Sequence, residues 1–436
     1  MRWHHPSWFP LALFVAVWGH SDVALGQLDA ARPAREPSIL RVGTSGDYAP
    51  FSSISDIEYG GFDIAVARAY AAERGLELRF VPFVWRELSS SLAANRFDVA
   101  MSGITIRPER TALGRFSVTV AETGAVVLGR PKGRFRTVGD FNRRPIRIGV
   151  NAGGHLERVT TTHFSRATVI AIPDNAAVRE TLLAGGLDAA VTDTLEAPHW
   201  LEGRDDLDLL GPFTTDRKAY LVRADRPELA SDLDAWLLER EADGSLLALR
   251  LEYFGPEAAD RFTPLDSLLA AMDERLSLMP LMAVAKRRQG MPLEVPMREE
   301  IVLDAAVESA RVAAERVGQA MPDAQVVKHL FRAQMEAAKE VQWNAIRDPD
   351  YARPDPVPDV DTELRPALLR IGDRIGQLLV SLPAGLAGDV VRGAARDQLR
   401  TPWLSDAAKQ AIAEAITALS TAKANAASEK EAAPPS

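Results

Sequence analysis

Two carboxylates stand three residues apart in Thr192-Asp193-Thr194-Leu195-Glu196-Ala197, close enough to share one local turn. A carboxylic acid whose pKa is raised inside a closed cleft can protonate a leaving hydroxyl. Glu196 is one such carboxyl, and the ordinary alternative for it is a glutamate on a solvent-facing helix. Glu157 is a further carboxyl of this kind. More simply, it opens a helix after Gly153-Gly154, where the first amides can face an anion. Arg110 carries a planar fork that matches a carboxylate in two parallel bonds. A lone arginine is more often a solvated surface charge. Lys218 either adds positive charge to the same cleft or stands exposed. Further along, Arg275 and Lys286 are eleven residues apart. In a straight helix that is about three turns, so both would share one face roughly 16 Å long. Pro280 lies between them and predicts a kink. Taken singly, each of these cations reads as a solvated helix charge.

The elements that would position these groups change character half-way along the chain. From Ile39 to about Gly255, strands alternate with helices. Ile39–Gly43, Leu76–Phe80, Asp98–Met101, Ile146–Val150, Thr168–Ile172, Asp188–Val191 and Ala219–Val222 read as strands. Phe62–Arg74 is helical, with Phe62, Val66, Ala69 and Tyr70 on one face. Trp85–Ala94 and a segment from His155 are helical as well. This alternation predicts an α/β fold with parallel sheets. Beyond Gly255-Pro256 the pattern is helical only, over Leu265–Arg288, Val302–Ala320, Ala324–Trp343, Leu364–Leu382 and Ser405–Ala424. Met272, Met279 and Met282 read as core. A Pro-rich connector runs from Arg353 to Pro358. The tail, 426–436, is Ala, Glu, Lys, Pro and Ser and reads as disordered. No internal repeat is present.

The chain has 436 residues, enough for two or three domains. A 47% hydrophobic and 25% charged composition excludes disorder throughout. Lys+Arg is 51 against Asp+Glu 60, a net charge of -9 with no long basic run, which argues against nucleic acid as a partner. The absence of cysteine excludes disulfides, thiolate nucleophiles, zinc ribbons and iron–sulfur clusters. At the N-terminus, Arg2, His4 and His5 precede the apolar run Trp8–Trp18. That run is too short for a membrane span, which needs about 20 residues. Small residues at Ala24 and Gly26 precede Gln27. This layout predicts a secretory signal peptide over 1–26, a spacer over 27–38 and an exported protein, periplasmic or secreted. No later run is long and apolar enough to cross a membrane.

The strings RVGTSGDYAPFS, GGFDIAVARAYA, NRFDVAMSGITIRPERT and IGVNAGG closely resemble the type 2 periplasmic solute-binding fold over residues 39–256. That resemblance implies two α/β lobes joined by a hinge, with ligand held between them. It implies that Arg110 clamps a ligand carboxylate. It also implies that Asp193 stands where amino-acid binders hold an ammonium. More narrowly, GTSGDYAPFS, NAGGHLERV, PDN, TDTLEA and RKAYLVR are similar to the cyclohexadienyl dehydratases. These soluble periplasmic enzymes convert prephenate to phenylpyruvate, and arogenate to phenylalanine, with loss of water and carbon dioxide. The likeness implies Glu196 as the acid. It implies a substrate site holding Asp47, Ser102, Thr105, Arg110, Gly154, His155, Glu157, Asp193 and Lys218. Two departures bear on substrate preference. His155 stands where the family usually has threonine, and the segment after Phe116-Ser117-Val118 lacks a customary aromatic.

ERLSLMPLMAVAKRR, MPLEVPMREE and FRAQMEAAKEVQ resemble the secreted, all-α class of chorismate mutase, over 259–425. Chorismate rearranges to prephenate without proton transfer or nucleophile. Such an enzyme holds a dianion in a compact conformer and stabilises charge developing on the ether oxygen. The resemblance implies Arg275, Lys286, Arg298 and Arg365 as the cationic clamp, with Gln342 near the ether oxygen. Ala338 and Val302 are apolar where some relatives are polar.

The two resemblances describe consecutive steps. They predict a bifunctional exported enzyme taking chorismate and then prephenate or arogenate, with no cofactor and no metal, and a homo-oligomer is compatible with it. The rival reading is a polar amino-acid binding protein of a transport system that carries a mutase-like helical domain.

Overall fold

The computed structural model describes residues 38–143, 145–349, 351 and 357–432. The signal segment, nearly all of the spacer and most of the Pro-rich connector lie outside the described residues.

Two five-stranded sheets organise the first half. In one, Ile39–Thr44 pairs in parallel with Glu77–Pro82 and with Val99–Ala100. In the other, Arg147–Asn151 pairs in parallel with Thr168–Ile172 and Ala189–Asp193. Both sheets are mixed, not purely parallel. Leu221–Arg223 joins the first sheet antiparallel, between Val99–Ala100 and Gly114–Phe116. Ala125–Gly129 joins the second antiparallel, between Ala189–Asp193 and Asp208–Leu210. The chain crosses between lobes twice, and each crossing delivers a strand from the opposite direction. The crossing segments, Ala121–Thr123 and Asp216–Lys218, pair antiparallel with each other and form the hinge. Phe62–Glu73 packs Phe62, Val66 and Tyr70 into the core, with Ala69 partly buried beside them. Trp85–Glu87 is a single 3-10 turn before the helix Leu88–Ala93, so the expected helix starts later.

The second half is helical. Thr263 caps Pro264–Ser277, and Asp266 returns a bond to the cap. The single helix expected over Leu265–Arg288 is two, because Met279–Arg288 starts afresh after Leu278. Pro280 has no N–H to continue the preceding ladder, and a proline fits the first turn of a new helix. The shared face inferred from a straight helix for Arg275 and Lys286 therefore does not exist as such. Pro296–Arg316 starts one and a half turns earlier than Val302 and ends before Gly318. Ala324–Arg347 and Arg365–Ser381 follow the expected spans closely. Gly388–Gln398 is a helix that the sequence pattern did not single out. Asp406–Ala432 continues through most of the tail expected to be disordered, since Ala, Lys and Glu are strong helix formers. No helix among the described residues is long and apolar enough to cross a membrane.

The halves share one hydrophobic cluster, with Leu40 and Leu221 at one end of the chain and Leu276, Val341 and Leu419 at the other. Polar contacts cross the same seam. Arg374 pairs with Glu274 and donates to the Phe116 and Ser117 carbonyls at 2.6 and 3.1 Å. Arg217, on a hinge strand, donates to Asp273 Oδ2 at 2.7 Å. On the opposite hinge strand Glu122 accepts from Arg400 at 2.9 Å. The helical part is seated on the hinge.

Candidate functional site

The first candidate is a cavity between the lobes. Thr105, Arg110, Gly154, His155 and Lys218 line it, five of the nine substrate-site residues implied by the sequence. Arg110 sits in the short helix Pro108–Leu113 and is only 2% exposed. Its Nη1 donates to the Thr105 carbonyl at 3.0 Å, and it forms no ion pair among the described residues. Burial, with Arg107 nearby, holds its pKa well below the usual guanidinium value. An unpaired buried cation calls for an anion. Asn151 Nδ2 is buried without a partner on the facing strand end. Gly154 opens the helix His155–His163 with no side-chain cap, so its first amides are available too. Gly153 holds a left-handed φ of 81°, and a Cβ there would sit 2.6 Å from the Arg86 backbone, so glycine lets the two lobes meet.

Glu196 lies just behind this surface, 3% exposed. Asn175 Nδ2, from the cavity wall, donates to its Oε1 at 2.6 Å, and the Thr192 hydroxyl donates to Oε2. Burial pushes its pKa well above the carboxylate range, and the charges of Asp193 and Asp47 push the same way. Burial thus biases it towards the protonated form, while the two donors pull the other way. Asp193 accepts from the Tyr48 hydroxyl and lies 3.4 Å from Lys218. His155 Nε2 stands 2.8 Å from Asp216 Oδ1, and burial lowers the histidine pKa despite that partner.

The other implied residues serve the frame. Ser102 accepts from the Ser45 amide at 3.1 Å. Asp47 accepts from the Trp85 indole at 3.0 Å, and its carbonyl accepts from Asn175. Glu157 accepts from the Gly153 amide at 2.5 Å and so ties the turn rather than facing the cavity. Tyr48, Trp85, Gly103, Asn151, Leu156 and Asn175 also line the cavity and were not singled out from sequence. Tyr48, Asn151 and Asn175 sat within the motif strings. Trp85 had no signal, since it reads as the start of a helix.

The second candidate is a cavity in the helical half. Arg275, Lys286, Arg298, Gln342 and Arg365 all line it, each from a different helix. Burial lowers the Arg275 pKa to about 10, so it stays charged near neutrality. Lys286 is lowered by burial and then by Arg365 and Arg298, the signature of crowded cations. Its Nζ donates to the Leu293 carbonyl at 2.6 Å and reaches Gln342 Oε1 at 3.4 Å. Arg365 pairs with Asp361. Glu299, the acid on this wall, lies 3.0 Å from Lys339. Ala338 and Val302 are apolar patches of the lining. Met279 and Met282 are core residues as expected, and they also line the cavity.

Residues 40–256 match the family model of bacterial extracellular solute-binding proteins, family 3. Cyclohexadienyl dehydratase of Pseudomonas aeruginosa is 34% identical over 227 residues, 50% of this chain and 83% of that protein. The L-cystine-binding protein of Escherichia coli K12 is 27% identical over 228 residues, 51% of this chain and 85% of that protein. A crystal structure of an ancestral amino acid-binding protein, described as a precursor of cyclohexadienyl dehydratase, is 30% identical. It covers 50% of this chain and 96% of its own, with a TM-score of 0.47.

Proposed function

The chain belongs to the bacterial extracellular solute-binding proteins of family 3, and from that premise we propose that it is an exported bifunctional enzyme. The helical half rearranges chorismate to prephenate. The α/β half dehydrates and decarboxylates prephenate to phenylpyruvate, or arogenate to phenylalanine. The observation that carries the second step is Glu196: a buried carboxyl, pushed towards its protonated form, behind a cavity whose guanidinium has no acidic partner among the described residues. A solute-binding site needs the cation but has no use for the acid.

In this reading Arg110 and the amides at Gly154 bind the substrate's carboxylates. Glu196 gives its proton to the ring hydroxyl, which departs as water. The bond from ring to carboxylate breaks, carbon dioxide leaves, and the released electron pair completes the aromatic ring. Glu196 is left ionised and takes its proton back from solvent. At the helical site, Arg275, Lys286, Arg298 and Arg365 hold the dianion compact, and Gln342 donates towards the ether oxygen as its bond weakens. No proton moves there, consistent with a lining whose acid is held by Lys339.

The likeness to amino-acid binding proteins favours a second reading, in which the cleft only holds a ligand for transport. The full chain incubated with prephenate near neutral pH, against an enzyme-free blank, separates the two. Phenylpyruvate formation is the expected result. Tight amino-acid binding with no turnover establishes the transport reading for the cleft. Chorismate consumption, followed separately, tests the helical half.

A further inference from the structure

The buried acids nearest Lys218 are already held. Asp193 Oδ1 accepts the Leu195 and Glu196 amides at 3.0 Å each. Its Oδ2 accepts the Tyr48 hydroxyl and faces Lys218 Nζ at 3.4 Å. Lys218 is 2% exposed, donates to Tyr48 Oη and Thr105 Oγ1 at 3.0 Å each, and lies over the Tyr48 ring. Asp216 is held by His155 and Thr214, Asp47 by Trp85, and Glu196 by Asn175 and Thr192. Asp63, deeper in the same lobe, accepts from Gly103 and Tyr220. Two donors differ: among the described residues Arg110 has no acidic partner and Asn151 Nδ2 has none of any kind.

A protonated amine entering this cavity meets two cations, and Asp193, placed to receive it, is already taken by Lys218 and Tyr48. Its hydration would be replaced by neutral acceptors only, His155 Nδ1 among them, and like charges repel strongly where water is excluded. A ketone at the same place accepts hydrogen bonds and carries no charge. We propose that the cleft takes the keto acid and turns away the matching amino acid, with Lys218, through its pairing to Asp193, as the specificity-determining residue. The proposal rests on the dehydratase reading for its choice of substrates, prephenate for the ketone and arogenate for the ammonium.

The test compares kcat/KM for the two substrates on the full chain. Prephenate is expected to lead by at least about tenfold, the scale of one uncompensated charged contact. Lys218→Met frees Asp193 to receive an ammonium and should move the ratio towards arogenate. Circular dichroism checks that this variant folds; where it does not, the parent ratio decides the matter alone. Equal turnover of both substrates, or a lead for arogenate, overturns the proposal and leaves the dehydratase reading intact. Should neither substrate react, calorimetry with phenylpyruvate and L-phenylalanine separates the two claims. Tighter phenylpyruvate binding supports the selectivity even without turnover. Tighter L-phenylalanine binding, or no binding of either, overturns it.

Discussion

The cleft between the lobes and the cavity among the helices are both built to receive anions, but they hold different reserves. The cleft keeps one unpaired buried guanidinium, Arg110, together with a buried carboxyl biased towards its protonated form. The helical cavity gathers Arg275, Lys286, Arg298 and Arg365, and its own acid, Glu299, is held by Lys339. The difference matches what two reactions on related anions require. Breaking a carbon–oxygen bond to release water needs a stored proton. Rearranging a bound dianion needs only shape and a fixed positive field. The backbone differs too. The cleft lies between lobes joined by two crossing strands, whereas the helical cavity draws its cations from helices packed against one another.

The sharpest way to break this contrast is to remove the proton and keep the shape. In Glu196→Gln the amide still accepts from Asn175 and can donate to the Thr192 hydroxyl. A general acid contributes about 10²–10⁴-fold, and prephenate dehydration should fall by that order while chorismate consumption is unchanged. Prephenate then accumulates from chorismate, which chromatography detects. The sign of the pH dependence follows from the raised pKa. The active form is protonated, so parent dehydration declines as pH rises through that value, and the residual rate of the variant lacks this limb. An unchanged dehydration rate in Glu196→Gln would remove the acid from the cleft and with it the contrast.

Arg298→Ala takes one arm from the helical clamp. A charge-assisted contact contributes roughly 1.5–3 kcal/mol, so mutase activity should drop by about tenfold to a hundredfold. Dehydration of added prephenate should persist. Equal loss of both activities would mean that the halves do not work separately.

The smallest effect tests whether they are separate at all. Asp273 lies two residues before Arg275, and it binds Arg217, the neighbour of Lys218 on the hinge. It also accepts the Arg400 and Thr401 amides at 2.8 Å each. Thr111, next to Arg110, donates to Glu274 at 2.9 Å, next to Arg275. Asp273→Asn keeps the shape and removes the charge. Perturbing such a link shifts coupling by about 0.5–2 kcal/mol. Both rates should therefore move together, by roughly two- to thirtyfold. Should only the mutase rate change, the contact is local packing and the two sites are independent.

Much of this was legible from residue order. Short-range signals set the alternation of strands and helices to Gly255, the all-helical remainder and the buried face of Phe62–Glu73, because periodicity acts over a few residues. The candidate cations of the helical half could be named from their motif positions, and they do line one cavity. Other features depended on the folded chain. Tyr48 meets Asp193 across 145 residues, and Lys218 meets Tyr48 across 170. Trp85 and Asn175 join the cleft from opposite lobes. The break at Leu278 replaced a shared helix face with two helices that converge, and the seating of Asp273 and Arg400 on the hinge joined halves that look independent in sequence. A local pattern determines which face of an element is apolar. Which distant polar group meets which is decided only when lobes and helices pack, because a buried charge must find its partner wherever the topology brings one.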